Sequence, residues 1–286
     1  MSKTKVWALF RLFRIELPFA AGISVLMGEL LALGHFPTAR EMALGFLSVF
    51  FISAAALIIN DYFDLEIDKI NAPERSLAAG LVTEREVIGL FTAVTLLGLI
   101  LSSLISLTAL LVAVLVWAVG FLYNWRFKKT GLLGNLMVSF SVGMTFVFGG
   151  ITVGQPWARM VWFFAVIGML IDLGEEIAAD ALDVAGDRQI GSSSLAIVLG
   201  QETAMKISAS VFLLLVVLSL VPFWLGWLAL VYLFPLLLID AVILYATAKL
   251  LDSKTAAPRT YIRLIYFSGL AGMIIFLLIR LFLGDV

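Results

Sequence analysis

The chain is 286 residues long, 62% hydrophobic and 14% charged, with a formal net charge of -1 and no cysteine. A soluble domain is about half apolar and about a quarter charged, so this is the composition of an integral membrane protein, and counting soluble domains by length does not apply. The charge balance gives no case for nucleic acid, and the lack of cysteine excludes disulfides, thiolate metal sites and a cysteine nucleophile.

A membrane-spanning helix needs about 20 consecutive apolar residues. Taken in chain order, the apolar runs predict nine spans, at about 15–34, 41–60, 87–105, 107–124, 132–153, 157–177, 205–222, 226–248 and 262–283. The first follows Lys3, Lys5, Arg11 and Arg14 and has no small-residue cleavage site after it, so it reads as a retained span. Only Ser102, Ser103 and Ser106 mark the division between the third and fourth spans. Charge supports that division. With the N-terminus cytoplasmic, sixteen of the 19 Lys and Arg fall on the cytoplasmic side, Lys254 among them, leaving Arg40, Arg159 and Arg280 outside. Fusing residues 87–124 into one span would invert every later loop. The expectation is an all-α, multi-pass protein of the cell membrane, one domain over residues 1–286, with two long cytoplasmic loops at about 61–86 and 178–204.

Each loop opens on an acidic cluster. Asp61, Asp64 and Asp68 follow the second span, and Asp180, Asp183 and Asp187 follow the sixth. Both sets run i, i+3, i+7, the spacing of one face of a helix. A solvated helix end would explain either set alone. Two, in a chain with so little charge, point instead to divalent metal, because clustered carboxylates repel one another and are costly beside hydrocarbon. A Ca²⁺ loop would need ligands at alternate positions around a central glycine. Helical spacing, expected to converge the oxygens on one point, suits Mg²⁺ with retained waters and phosphate oxygens, and two such clusters suggest a metal-bridged diphosphate. Glu176 joins the second set as possible support, four residues before Asp180. Tyr123-Asn-Trp-Arg-Phe-Lys-Lys129 shares the same face. Interfacial aromatics and inside-positive charge account for much of it; its functional reading is a clamp in which Lys128 holds diphosphate oxygens and Tyr123 donates a hydrogen bond to the leaving group. Asp172 and Asp240 lie within spans, and His35, the one histidine, falls in a short outer loop. A weak internal echo, Ser76-Leu-Ala78 after the first cluster and Ser194-Leu-Ala196 after the second, hints at a duplicated four-helix unit.

At these residues the chain resembles the UbiA superfamily of intramembrane prenyltransferases. Asn60, Asp61, Asp64 and Asp68 match its N-D-x-x-D-x-x-x-D motif, and Asn71 to Gly80 resembles N-x-P-x-R-P-L-x-x-G with Ser76 in place of Pro. Glu176, Asp180, Asp183, Gly186 and Asp187 match the second motif, whose usual Arg and Lys are Glu175 and Ala179 here. Tyr123 and Lys128 resemble its Tyr–Lys segment. The resemblance implies a helical bundle around a central cavity open to the cytoplasm, and Mg²⁺-dependent transfer of a prenyl group from a prenyl diphosphate to a lipophilic or aromatic acceptor. It also implies the division of labour: Asn60, Asp64 and Asp68 for one Mg²⁺, supported by Asp61, and Asp180, Asp183 and Asp187 for a second, with Arg75, Lys128 and Arg188 as cations for the diphosphate. Arg14-Ile-Glu-Leu-Pro-Phe19 points to an aromatic quinone precursor as acceptor. Asn60-Asp-Tyr-Phe-Asp with Ile67-Asp-Lys-Ile-Asn71 points to the alternative, geranylgeranylglyceryl phosphate of archaeal ether lipids. A transporter would place its ionisable groups at mid-membrane on broken helices, and a CDP-alcohol phosphotransferase would carry a D-G-x-x-A-R signature, which is missing.

Overall fold

The computed structural model describes residues 3–189, 191–252 and 255–283; Lys254 lies outside them. In chain order the α-helices are α1 (Lys3–Arg11), α2 (Glu16–Leu33), α3 (Ala39–Phe63), α4 (Leu65–Asn71), α5 (Glu84–Ile105), α6 (Leu107–Trp125), α7 (Leu132–Thr152), α8 (Arg159–Leu182), α9 (Val184–Gln189), α10 (Leu195–Val198), α11 (Gln201–Ser219), α12 (Val221–Trp224), α13 (Leu233–Leu251) and α14 (Arg259–Leu283). Among the described residues, eight helices are long and apolar enough to cross a membrane. The sixth expected span is α8, 24 residues long and so sufficient in length, but it carries Asp172, Glu175, Glu176 and Asp180 in its second half.

Local chemistry sets the boundaries. Thr38 with Glu41 and Thr83 with Glu86 form capping boxes that start α3 and α5. Gly34 ends α2 in the left-handed conformation, φ 75°, its N–H bonding to Leu30 O. The weakly marked division at Ser106 is real: the backbone there is extended, and the Ser106 hydroxyl accepts from Ala109 N at 3.1 Å to start α6. The eighth span begins later than its hydropathy indicates. Gly226 has φ 65°, and a 3-10 turn at Leu230–Tyr232 precedes Leu233, so the stretch from 226 is apolar without being one helix.

The core has three parts. One joins α8, α11, α13 and α14 around Ile177, Phe212 and Ile243. A second joins α2, α3, α6, α7 and α8 around Val25, Ile52 and Phe146. The third seats α1, through Ala8 and Leu12, against α3, α5 and the loop residues Leu77 and Val82. The α2–α7 seam needs small residues: a Cβ on Gly28 would meet the Phe146 carbonyl, and one on Gly149 the Val25 carbonyl. Close backbone approach of this kind is how helices associate where lipid removes the hydrophobic driving force.

Candidate active site

Both acidic clusters sit where a long helix breaks into a short one. Asp64 links α3 to α4 at φ -90°, ψ 1°, and Asp183 is the matching residue after α8 at φ -106°, ψ 12°. Asn60 and Asp61 therefore occupy the last turn of α3, and Asp68 lies in α4, with the Asp68 N–H still bonded to Asp64 O at 2.8 Å.

The carboxylates have separate partners. Arg14, at the α1–α2 junction, pairs with Asp61. Lys128 pairs with Asp64. Arg75 Nη1 holds both oxygens of Asp68, at 2.7 and 2.6 Å. Burial alone would lower the Arg75 pKa, but its hydrogen bond to Asp68 and the charges of Asp68, Asp61 and Asp64 raise it. In the second cluster, Asn135 Nδ2 donates to Asp180 Oδ2 at 2.9 Å, and Arg259 pairs with Asp183. Asp187 Oδ2 and the Ser194 hydroxyl are buried and form no hydrogen bond of normal geometry. Burial pushes the Asp187 carboxyl above the ordinary aspartate range, Asp183 adds to that, and Ser194 and Lys128 oppose it. Arg188 is exposed on α9.

The expected convergence of each trio on one point is not met. Among the described residues, no group of three acidic or histidine side chains lies close enough to hold a metal ion. The reason is long-range pairing: Arg14, Lys128 and Arg75 each draw one carboxylate of the Asp61, Asp64, Asp68 set toward a different element, and Asn135 and Arg259 divide Asp180 from Asp183.

These groups surround the mouth of a cavity of about 710 Å³, within the usual range for small-molecule sites of about 300–1,000 Å³. Of the expected residues, Asn60, Asp64, Arg75, Tyr123, Lys128 and Glu176 form its wall; Asp61, Asp68, Asp180, Asp183, Asp187 and Arg188 do not line it. Further wall residues are Arg14, Asn124, Asp172 and Glu175. Ser139 Oγ lies 2.8 Å from Asp172 Oδ2, while Glu175 Oε1 is buried without a partner. Asn124 orients the first motif: it accepts from Asn60 Nδ2 at 2.7 Å and donates to Gly120 O and Ala56 O. Sequence reasoning missed Arg14, Asn124, Asn135 and Arg259. The one available signal was polarity at the end of an apolar run.

The loop carrying Lys128 is tied to the second acidic loop. Ser193 N donates to Lys129 O at 2.9 Å. Gly131 makes that approach possible: its φ is 63°, and a Cβ there would strike the Ser193 carbonyl. One end of the cavity is thus cationic and acidic. The rest is mainly apolar, lined by residues such as Met27, Ile52, Val142, Ile167 and Leu270, with one further carboxylate, Asp240, which accepts from the Ser219 hydroxyl at 2.8 Å. This arrangement defines a polytopic membrane protein with a polar-mouthed, apolar-bodied chamber.

Residues 21–281 match the model of the UbiA prenyltransferase family. The chain is 30% identical over 255 residues to the digeranylgeranylglyceryl phosphate synthase of Pyrococcus abyssi, covering 89% of this chain and 91% of that one. A solved structure concerned with digeranylgeranylglyceryl phosphate synthase in membranes aligns at TM-score 0.75 and 29% identity, over 95% of this chain and 98% of that one. A UbiA homologue from Archaeoglobus fulgidus, bound to GPP and Mg²⁺, shares the fold at TM-score 0.65 and 19% identity, over 93% and 97%. The chain belongs to the UbiA prenyltransferase family and is a multi-pass membrane transferase.

Proposed function

We propose that the protein transfers a geranylgeranyl group from geranylgeranyl diphosphate to the free hydroxyl of geranylgeranylglyceryl phosphate, with Mg²⁺. The observation that carries this reading is the pairing of the chamber with relatives, at 30% identity and above, named for that synthesis. It replaces the expected aromatic quinone acceptor. The Arg14-Ile-Glu-Leu-Pro stretch that pointed there has another employment, since Arg14 spends its guanidinium on Asp61.

The residues fit Mg²⁺ by donor chemistry. The set is made of hard oxygens, the ligands this ion takes, and Asp187 Oδ2 stands buried and open. Asn60, Asp64 and Asp68, supported by Asp61, would hold one ion; Asp180, Asp183 and Asp187, supported by Glu176, would hold a second. Bound there, the metal neutralises charge on the diphosphate. Lys128 and Arg75 in the cavity wall bind and orient the phosphate oxygens, and Tyr123 donates to the leaving oxygen. Arg188, exposed on α9, would meet the outer phosphate. As the C1–O bond breaks, its electron pair leaves with the diphosphate. The acceptor hydroxyl oxygen forms the new bond to C1 and gives its proton to a carboxylate of the wall, where Asp172, Glu175 and Glu176 lie. The apolar body keeps water from the allylic cation.

The same reading makes α8 the ninth span, buried against the others so that its carboxylates face the chamber. It also sets the N-terminus and the acidic loops on the cytoplasmic side, following the distribution of Lys and Arg. The test is Mg²⁺-dependent pyrophosphate release by purified protein, with aromatic and glyceryl phosphate acceptors offered side by side. Release dependent on geranylgeranylglyceryl phosphate supports the reading, and release dependent only on an aromatic acceptor overturns it.

A further inference from the structure

Aromatic rings gather at the end of the chamber away from the acidic loops. Phe163 and Phe164 stand near the start of α8, Phe276 near the end of α14, and Tyr232 in the 3-10 turn before α13, and all four line the cavity. Tyr232 and Phe276 stack with centroids 4.4 Å apart and planes at 22°. Phe164 meets Phe276 edge-on at 6.3 Å. Beside them Phe163 packs edge-on against Trp227 at 6.0 Å, and Arg159 lies over the Trp227 ring. Tyr232 is 4% exposed, and its hydroxyl is buried with no hydrogen-bond partner, so ring packing rather than a polar anchor holds it.

We infer that the Tyr232–Phe276 stack is the floor of the prenyl-chain channel and limits the donor to four isoprene units. This rests on the reaction proposed above. Helix α8 supplies the scale, because it carries Glu176 at the polar mouth and Phe163 at the floor. The thirteen helical steps from one to the other rise about 20 Å at about 1.5 Å each. An extended geranylgeranyl chain, sixteen main-chain carbons joined by fifteen bonds at about 1.25 Å of projected length each, spans about 19 Å, nearly the same. On that scale a fifth isoprene unit would run into the stack, whereas a chain one unit shorter would stop before it.

The experiment compares farnesyl, geranylgeranyl and farnesylgeranyl donors with wild-type protein, Phe276→Ala and Phe276→Trp. Transfer is read as ratios of kcat/KM. Binding is read separately, without acceptor, by thermal shift with the unreactive S-thiolodiphosphate of each chain. Phe276→Ala is expected to raise the farnesylgeranyl-to-geranylgeranyl ratio about tenfold or more, and Phe276→Trp to raise the farnesyl-to-geranylgeranyl ratio by a similar factor. Melting and size-exclusion profiles identify folded protein, and Phe276→Leu, a smaller deletion, reads the same ratio where the alanine variant does not fold. Ratios that stay within about twofold of wild type in folded variants overturn the floor. Failure of wild-type transfer to every acceptor counts against the proposed reaction alone, since the binding ratios still judge the floor.

Discussion

The two acidic clusters share a spacing and a helix break, yet they differ in how their charge is met. In the first, Asp61, Asp64 and Asp68 are 4%, 7% and 5% exposed, and each has its own Arg or Lys from a separate element. In the second, Asp180 has an amide, Asp187 Oδ2 has no partner, and Asp183 meets Arg259 in a pair whose side chains are 46% and 68% exposed. A buried carboxylate without compensation is costly, so the first cluster is built as a network that holds its shape. The second leaves one acceptor atom, Asp187 Oδ2, without a hydrogen bond. The difference teaches that equal motifs can meet their charge in different ways, one through fixed ion pairs and the other with a carboxylate oxygen left without a partner.

The sharpest way to break this comparison is to remove one carboxylate from each side. Asp64→Ala and Asp183→Ala are each expected to lower transfer by about 10³-fold or more, the scale of losing a group that answers charge in the transition state; pyrophosphate release measures it. Near-normal turnover in either variant would remove that cluster from the reaction. Mg²⁺ comes next. Chelation should abolish transfer, and restoring the ion with a diphosphate ligand at about 100 times its Kd should stabilise the protein by about 2.7 kcal/mol. The melting temperature reports that shift, which should shrink in Asp187→Asn if the unpartnered oxygen receives the ion. Arg75→Ala strands the Asp68 carboxylate and should cost about 1–3 kcal/mol in thermal melting, apart from its effect on turnover. Arg259→Ala removes an exposed pair and should cost about 1 kcal/mol or less. A loss at Arg259 as large as that at Arg75 would erase the contrast.

The apolar runs, the Ser106 division and both acidic spacings were legible because each rests on neighbours within a turn or two of helix. Lys128 and Tyr123 were legible because they interrupt apolar sequence at a span end. What the chain hid was distance. Arg14 reaches Asp61 across 47 positions, Lys128 reaches Asp64 across 64, and Arg259 reaches Asp183 across 76. Helical periodicity carries no information at that range. That is also why the carboxylate trios looked convergent: spacing reports which face a side chain shares, and long-range partners decide where it turns. The late start of α13 had the same cause as other hydropathy errors, for residues 226–232 are apolar whether they are helical or turned.

The amino-terminal helix has a practical meaning. Ala8 and Leu12 are buried in the same core as Leu77 and Val82, which flank the segment after Arg75, while Lys5 grips Glu86 and Arg14 grips Asp61. Residues 5–14 thus act as a latch across the loop that carries Arg75. Trimming them for expression would loosen Arg75 and Asp61 together. On the reaction proposed above, the expected result is weaker diphosphate binding, which a thermal shift with a diphosphate ligand would reveal where purification alone would not.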